Sequence, residues 1–315
     1  MIEKQNETLT VIVPCYNEEA VIETTYQRLR AVLNQLDNES YILFIDDGST
    51  DNTRKLLQAI AGQDPTVQLI NFSRNFGHQP AVTAGINHCS TDLAIIIDAD
   101  LQDPPESIPD ILATRKKENA NVVYCVRKSR AGESKFKLLT AKWFYRTINR
   151  LSETSFPLDT GDFRLIDSNV MKEFNRLKEK GKYIRGLISW VGFKQVPFYY
   201  ERESRFAGTT KYPLSKMLKF ASKALLYFSK KPLLLATGLG FLIVFLGIGM
   251  ALWYIFGKIF GYTNAESGFT SIMIMIIFFG GIQLLTVGML GQYIGILFDE
   301  VKERPEYIIE ETKNI

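Results

Sequence analysis

The sequence predicts an α/β domain built on a mostly parallel sheet, followed by basic amphipathic segments and two membrane-spanning helices. Three observations predict it. Between residues 8 and 125, short β-rich runs alternate with amphipathic helical patterns, as they do where crossover helices join parallel strands. Each β-rich run ends in a polar cluster: "PCYNEE", "DDGSTDNT", "SRNFGH", "DADLQD" and "RKSR". Two long uncharged runs, 232–257 and 267–298, lie near the C-terminus.

Taken in order, the predicted strands are "LTVIVP" (9–14), "YILFID" (41–46), "VQLINF" (67–72), "LAIIID" (93–98) and "NVVYCV" (121–126). Ligands of an open sheet bind beyond the carboxyl ends of its strands, which is where the polar clusters fall. After the first strand comes "YNEE", in which Asn17 reads as an N-cap. The second strand ends in Asp46 and Asp47, turns on Gly48 and caps the next helix with Ser49 or Asp51. Capping accounts for Ser49, Thr50 and Asp51 but not for two adjacent carboxylates, and a carboxylate placed there can accept hydrogen bonds from a base or ribose. The fourth strand delivers Asp98, Asp100 and Asp103 before Pro104-Pro105 ends it. Acidic oxygens at the mouth of a sheet suit a hard divalent ion, magnesium or manganese, with Gln102 as a neutral oxygen. A merely solvated acidic loop is the competing reading of an isolated D-x-D.

Past Arg130 the pattern changes. "KFKLLTAKWFYRTINRL", within about 135–152, and "YPLSKMLKFASKALLYFSKK", within 206–231, set apolar and aromatic stripes against lysines and arginines. Such helices lie in the lipid headgroup plane or pack as ordinary surface helices. The two uncharged runs each exceed the roughly 20 residues that cross a bilayer. Lys211, Lys216, Lys219, Lys223, Lys230 and Lys231 precede the first, while the connector carries only Lys258 and Glu266. That bias puts both termini in the cytoplasm, and the N-terminus lacks a signal-peptide pattern. Gly281, Gly288 and Gly295 recur at seven-residue spacing, and Gly291 with Gly295 forms a G-x-x-x-G. Small faces of this kind allow close helix contact within a chain or in a homo-oligomer.

Of 315 residues 46% are hydrophobic, enough for a full core with apolar sequence left over. Cys15, Cys89 and Cys125 form no C-x-x-C pair, which disfavours disulfides and zinc and fits a reducing compartment. A net charge of +3 is too small to suggest nucleic acid as a partner. His78 and His88 share no ligand pattern and read as structural, and Cys15 reads as a small buried filler.

Read together, "VIVPCYNEE", "FIDDGSTDNT", "SRNFGH", "IDADLQDPPE", "GDFRLID" and "RFAGTTKYPLSKM" resemble family 2 glycosyltransferases. The resemblance is to the polyprenyl-phosphate branch, which includes dolichyl-phosphate mannose synthase and bactoprenol glucosyltransferase. It covers residues 11–217 in order. It implies a GT-A, Rossmann-like catalytic domain over 1–205 on the cytoplasmic side, a juxtamembrane segment over 206–231, transmembrane helices at about 232–257 and 270–298, and a cytoplasmic tail over 299–315. Pro14, Tyr16, Glu18, Asp47 and Asp98 match nucleotide-sugar contacts, and Asp98, Asp100 and Gln102 match the triplet that holds Mg2+ or Mn2+. Arg127, Arg130, Arg164, Arg205 and Lys211 match groups that meet phosphates or the acceptor, and Asp162 and Asp100 match the catalytic positions.

The reaction implied is inverting transfer of one sugar, from UDP-glucose or UDP-N-acetylglucosamine, to polyprenyl (undecaprenyl) phosphate at the plasma membrane. A GDP-mannose donor is the nearest alternative. A membrane-anchored sensor that binds a nucleotide sugar without turnover is an alternative of another class, although none of the motif residues is missing. The Q-x-x-R-W segment of processive members does not occur, in keeping with one sugar per lipid.

Overall fold

The computed structural model describes residues 7–127, 160–180, 182–201, 231–261 and 268–315. The chain divides into two compact units. One takes the described residues through 201 together with 305–315, and the other takes those from 231 to 304.

Among the described residues, the first unit is an eight-stranded sheet covered by helices. Its strands are β1 (Leu9–Cys15), β2 (Ser40–Asp46), β3 (Val67–Phe72), β4 (Leu93–Ile96), β5 (Val122–Arg127), β6 (Thr160–Asp167), β7 (Gln195–Tyr200) and β8 (Ile309–Lys313). Between them lie α1 (Ile22–Leu33), α2 (Thr53–Gln63), α3 (His78–His88), α4 (Ile108–Glu118), α5 (Ser168–Arg176) and α6 (Ile184–Val191). The order across the sheet is β7-β5-β6-β4-β1-β2-β3-β8. Pairing is parallel for β1–β2, β1–β4, β2–β3 and β5–β7, and antiparallel wherever β6 or β8 takes part. Six strands therefore point one way and two the other.

Every residue of β1 is buried, which is why its sequence is a continuous apolar run rather than an alternation. α3 packs directly on it: a methyl group on Gly85 would collide with Ile12 and press on Ile45, so only glycine allows that approach. Pro14 is tolerated inside β1 for a local reason. The β1–β4 ladder ends at Ile12 opposite Ile96, with one further bond from the Ile97 amide to the Ile12 carbonyl. By the two-residue alternation of a strand, the amide that Pro14 lacks would face β4 just past that end.

The structure departs from the predicted elements in four places. β4 leaves the ladder at Ile96, two residues before the expected Asp98. β6 and β7 were not predicted as strands. The segment read as a tail contributes β8, an antiparallel edge strand on β3. Its charges, Glu310, Glu311 and Lys313, suit an exposed edge and hide the β pattern.

The second unit holds α7 (Lys231–Ile259) and α8 (Phe269–Val301), one helix on each expected span. Phe278–Val301 is long and apolar enough to cross a membrane, while the apolar stretch met in α7 is Gly240–Gly249. Among the described residues, a methyl group on Gly281, Gly288, Gly291 or Gly295 would meet nothing within 4 Å. The amphipathic segments expected at about 135–152 and 206–231 lie outside the described residues, except for Lys231, which opens α7.

Candidate active site

Chemistry-bearing residues gather at the carboxyl edge of the parallel strands. The antiparallel direction of β6 explains how Asp162 comes to be there. β4 and β6 pair Leu93 with Asp167 and Ile96 with Arg164; continued by two residues, that register sets Asp162 opposite Asp98. His78, the first residue of α3, joins them: its Nε2 lies 3.1 Å from Asp162 Oδ2 and 3.7 Å from Asp98 Oδ1. Arg185, in the first turn of α6, donates Nε to Asp162 Oδ1 at 2.8 Å and Nη2 to Oδ2 at 3.3 Å. Gln79 holds α6 in place by accepting the Ile184 amide at 3.0 Å.

The electrostatics of this group are uneven. Burial opposes the charge on Asp162, but the Arg185 guanidinium and His78 outweigh it and hold the carboxyl well below the usual range. His78 is pushed up to about 9: burial works against its charge, and the hydrogen bond to Asp162 with the charges of Asp98 and Asp162 prevail. Asp98 goes the other way, up to about 6, because of burial first and then the neighbouring Asp162, Asp103 and Asp100, against the pull of His78. Asp98 Oδ1 is buried and has no hydrogen-bond partner among the described residues. Asp100 Oδ1 accepts the Gln102 amide at 3.1 Å, closing a tight turn in which Leu101 takes a left-handed φ of 57°.

These residues fit a hard divalent ion. No three His, Cys, Asp or Glu side chains form a ready metal cage among the described residues. An ion such as magnesium does not need one, since it keeps waters and takes substrate phosphates beside one or two carboxylates. The buried Asp98 oxygen, with no hydrogen bond among the described residues, His78 only at 3.7 Å and three other carboxylates nearby, is the kind of group that a cation would satisfy.

The loops after the first three strands are tied to one another. Asn17, at φ 54°, is no N-cap; its Oδ1 accepts the Thr50 amide at 2.8 Å and its own amide donates to Ser49 Oγ at 3.0 Å. The Glu18 amide donates to Thr53 Oγ1 at 2.8 Å. Asp46 accepts the Ser49 amide and Arg54 Nε, at 3.1 and 3.0 Å. Asp47, 2% exposed, accepts the Phe76 and Gly77 amides at 2.7 and 2.9 Å. Gly48 fits between: its φ is +65°, and a methyl group there would strike the backbone of Arg74 and Asn75. The adjacent carboxylates thus have scaffold work that capping did not explain, and Asp47 spends both oxygens on the loop after β3. Tyr16 is exposed beside them while Pro14 is buried in β1.

Other expected site residues are spread more widely. Arg127 Nε meets the Tyr200 hydroxyl at 3.4 Å, and Tyr200 donates to the buried Asp103 at 2.5 Å. The third aspartate of "DADLQD" therefore serves the scaffold beneath Arg127. Arg164 is buried and donates to the Gly161 carbonyl at 3.0 Å instead of standing open to a phosphate. Arg130, Arg205 and Lys211 lie outside the described residues. His78, read from the sequence as structural, lies against Asp98 and Asp162, and Arg185 was not singled out in the sequence. A signal for His78 existed, since it closes the strand-end cluster "SRNFGH". His88, bonded to the Ala84 carbonyl at 2.9 Å, and the buried Cys15 are structural as expected.

Comparison with known proteins bears on the whole chain. Residues 10–174, more than half of it, match glycosyl transferase family 2. The chain is 45% identical over 307 residues to the uncharacterized glycosyltransferase YkcC of Bacillus subtilis, covering 97% of this chain and 94% of that one. It is 36% identical over 305 residues to the prophage bactoprenol glucosyl transferase homolog of Escherichia coli, covering 97% and 99%. Among solved structures, glucosyl-3-phosphoglycerate synthase from Mycobacterium tuberculosis, in complex with Mn2+, UDP and phosphoglyceric acid, aligns with a TM-score of 0.46 at 18% identity, covering 70% of this chain and 76% of that one. The chain belongs to glycosyl transferase family 2.

Proposed function

We propose that this glycosyltransferase moves a single sugar from a nucleotide sugar, UDP-glucose or UDP-N-acetylglucosamine first, to a polyprenyl phosphate at the cytoplasmic face of a membrane, with inversion. The observation that carries this reading is the convergence of Asp98, Asp162, His78 and Arg185 at the carboxyl edge of the sheet, in a chain whose near-full-length relatives include bactoprenol glucosyl transferases.

Asp98 and Asp100, with Gln102, would hold Mg2+ or Mn2+. When bound, such an ion supplies Lewis-acid stabilisation of the departing diphosphate. The acceptor phosphate oxygen attacks the anomeric carbon from the face opposite the diphosphate, the bond to the diphosphate oxygen breaks, and the nucleoside diphosphate leaves. A phosphate monoester has its second ionisation at about 6, so the acceptor needs no strong base. Asp162 suits a different task. Held anionic between Arg185 and His78, it is a poor proton acceptor but a fixed negative charge, placed to steady positive charge developing on the sugar. Arg127, with the other basic residues matched by the family motifs, offsets the repulsion of two phosphate-bearing substrates.

Membrane attachment rests on α7 and α8. No charged residue occurs between Pro232 and Gly257, and among the described residues Phe278–Val301 is long and apolar enough to cross a membrane. Large apolar side chains such as Phe245, Trp253, Leu284 and Leu297 are exposed, as they would be toward lipid. We read both helices as spans with both termini cytoplasmic.

The test is mass analysis of lipid products after incubating the membrane-embedded protein with undecaprenyl phosphate and, in turn, UDP-glucose, UDP-N-acetylglucosamine and GDP-mannose. A phospholipid gaining one hexose from a UDP-sugar is expected. Asp100→Ala abolishes that product while the protein stays folded in membranes. Nucleotide-sugar binding without any glycolipid would replace this reading by the sensor.

A further inference from the structure

The residues after α8 reach the active-site loops along a traceable line. β8 lies on β3 with Leu69 opposite Lys313 and Asn71 opposite Glu311, and the Ser73 amide donates to the Ile308 carbonyl at 3.1 Å. Just before β8, the Tyr307 ring stacks on Phe72, centroids 5.1 Å apart and planes 8° from parallel, while its hydroxyl accepts Asn87 Nδ2 at 2.9 Å. Phe72 meets Phe76 edge-on at 5.7 Å and 89°. The Phe76 amide is one of the two donors to Asp47, and His78, which faces Asp98 and Asp162, follows two residues later.

A second line runs through Arg54. Its Nη1 donates to Glu310 at 2.9 Å, its Nη2 to the Phe72 carbonyl at 2.6 Å and its Nε to Asp46 at 3.0 Å. Asp46 in turn holds the Ser49 amide. Both lines end on loops that flank the site, not on the middle of the sheet. A strand that only covered an edge would need backbone pairing; it would not need an aromatic stack aimed at the loop after β3.

We infer that the C-terminal segment around Tyr307 is a positioning element for donor binding, with Tyr307 acting through Phe72 and Phe76 on the loop that carries His78. The kinetic part of this inference rests on the transfer reaction proposed above; the structural part does not.

Full-length Tyr307→Ala and Tyr307→Phe, in membranes, test it by two readouts. In Tyr307→Ala the KM for UDP-glucose rises about tenfold, the scale expected when a positioned loop shifts by a fraction of an ångström, and the KM for undecaprenyl phosphate stays put. Hydrogen exchange at the Phe76 and Gly77 amides rises about tenfold, while the β1 amides of Val11 and Val13 keep their protection. Tyr307→Phe keeps the ring and stays near the wild type in both. Unchanged exchange at Phe76 and Gly77 in Tyr307→Ala overturns the inference. So does exchange that rises equally at Val11 and Val13, since that marks general loosening. A wild-type protein that forms no glycolipid defeats the proposed reaction and leaves the exchange result to decide the role of Tyr307.

Discussion

Asp47 and Asp98 follow the ends of two apolar strands of one sheet, separated in it only by β1. Asp47 gives both oxygens to backbone amides of the neighbouring loop, at 2.7 and 2.9 Å. Asp98 keeps one buried oxygen without a hydrogen-bond partner among the described residues, with a protonatable histidine 3.7 Å away. The same residue type thus does opposite things on one edge. On the β2 side, carboxylates build the scaffold; on the β4 side, acceptor capacity is left over, and leftover capacity in a folded site is what a ligand or cation completes.

Substitution can break this comparison. The largest effect is expected from Asp98→Asn, which removes a charge from the proposed ion site. Transfer, followed as the initial rate of labelled glycolipid formation, falls on the order of a thousandfold, the scale of losing metal-assisted charge stabilisation. The thermal midpoint in detergent holds or rises, because Asp98, 30% exposed, keeps a buried oxygen that makes no hydrogen bond among the described residues and is repelled by neighbouring carboxylates. Asp47→Ala does the reverse. Two amides lose a charged acceptor, at about 2–3 kcal/mol in total, read as a midpoint lower by about 5–10 °C. Equal midpoints for the two variants would erase the distinction. Excess chelator belongs with the first variant: it stops transfer without moving the midpoint as far as Asp47→Ala does, and added Mn2+ or Mg2+ restores it.

The legible parts of the fold were those whose physics is local. Strands β1 to β5 could be read because buried parallel strands make short apolar runs between amphipathic helices, and their ends agreed to within two residues, with β3 matching at both ends. β6 escaped because Asp162, Arg164 and Asp167 interrupt its apolar residues while being buried with them. In β7, Pro197 interrupts the strand pattern, and it occupies an edge where proline is tolerated. β8 carries three charges in five residues. The motifs located Asp98, Asp100 and Asp162, whereas His78 and Arg185 reach Asp162 from 84 and 23 positions away. Their meeting depends on where α3 and α6 begin, and local spacing does not carry that information.

Two smaller contacts sharpen the comparison by asking what holds the β4 loop where it is. Thr25, buried on α1, shares its hydroxyl between the Val21 and Ala99 carbonyls, each at 2.9 Å, and Ala99 lies between the two aspartates of the proposed ion site. Thr25→Val keeps the shape and leaves the Ala99 carbonyl unpaired, at about 1–2 kcal/mol. Transfer falls by less than tenfold if the turn closed by Asp100 and Gln102 keeps the loop in place, and by far more if α1 is its anchor.

Arg28, one turn further along α1, forks onto Glu106 at 2.9 and 2.6 Å. Both side chains are solvent-accessible, at 27% and 53%, so the pair contributes a few tenths of a kcal/mol. Arg28→Met therefore leaves the thermal midpoint within about 2 °C and the transfer rate unchanged at 0.15 M salt. Glu106 lies past Pro104-Pro105, which stiffen the chain between the pair and the proposed ion site. A clear loss of rate in Arg28→Met with no loss of stability would mean that the loop's position is set from outside, through α1 and the Pro105–Ser107 turn. The β4 side would then be held as firmly as the β2 side, by contacts more distant than those to Asp47.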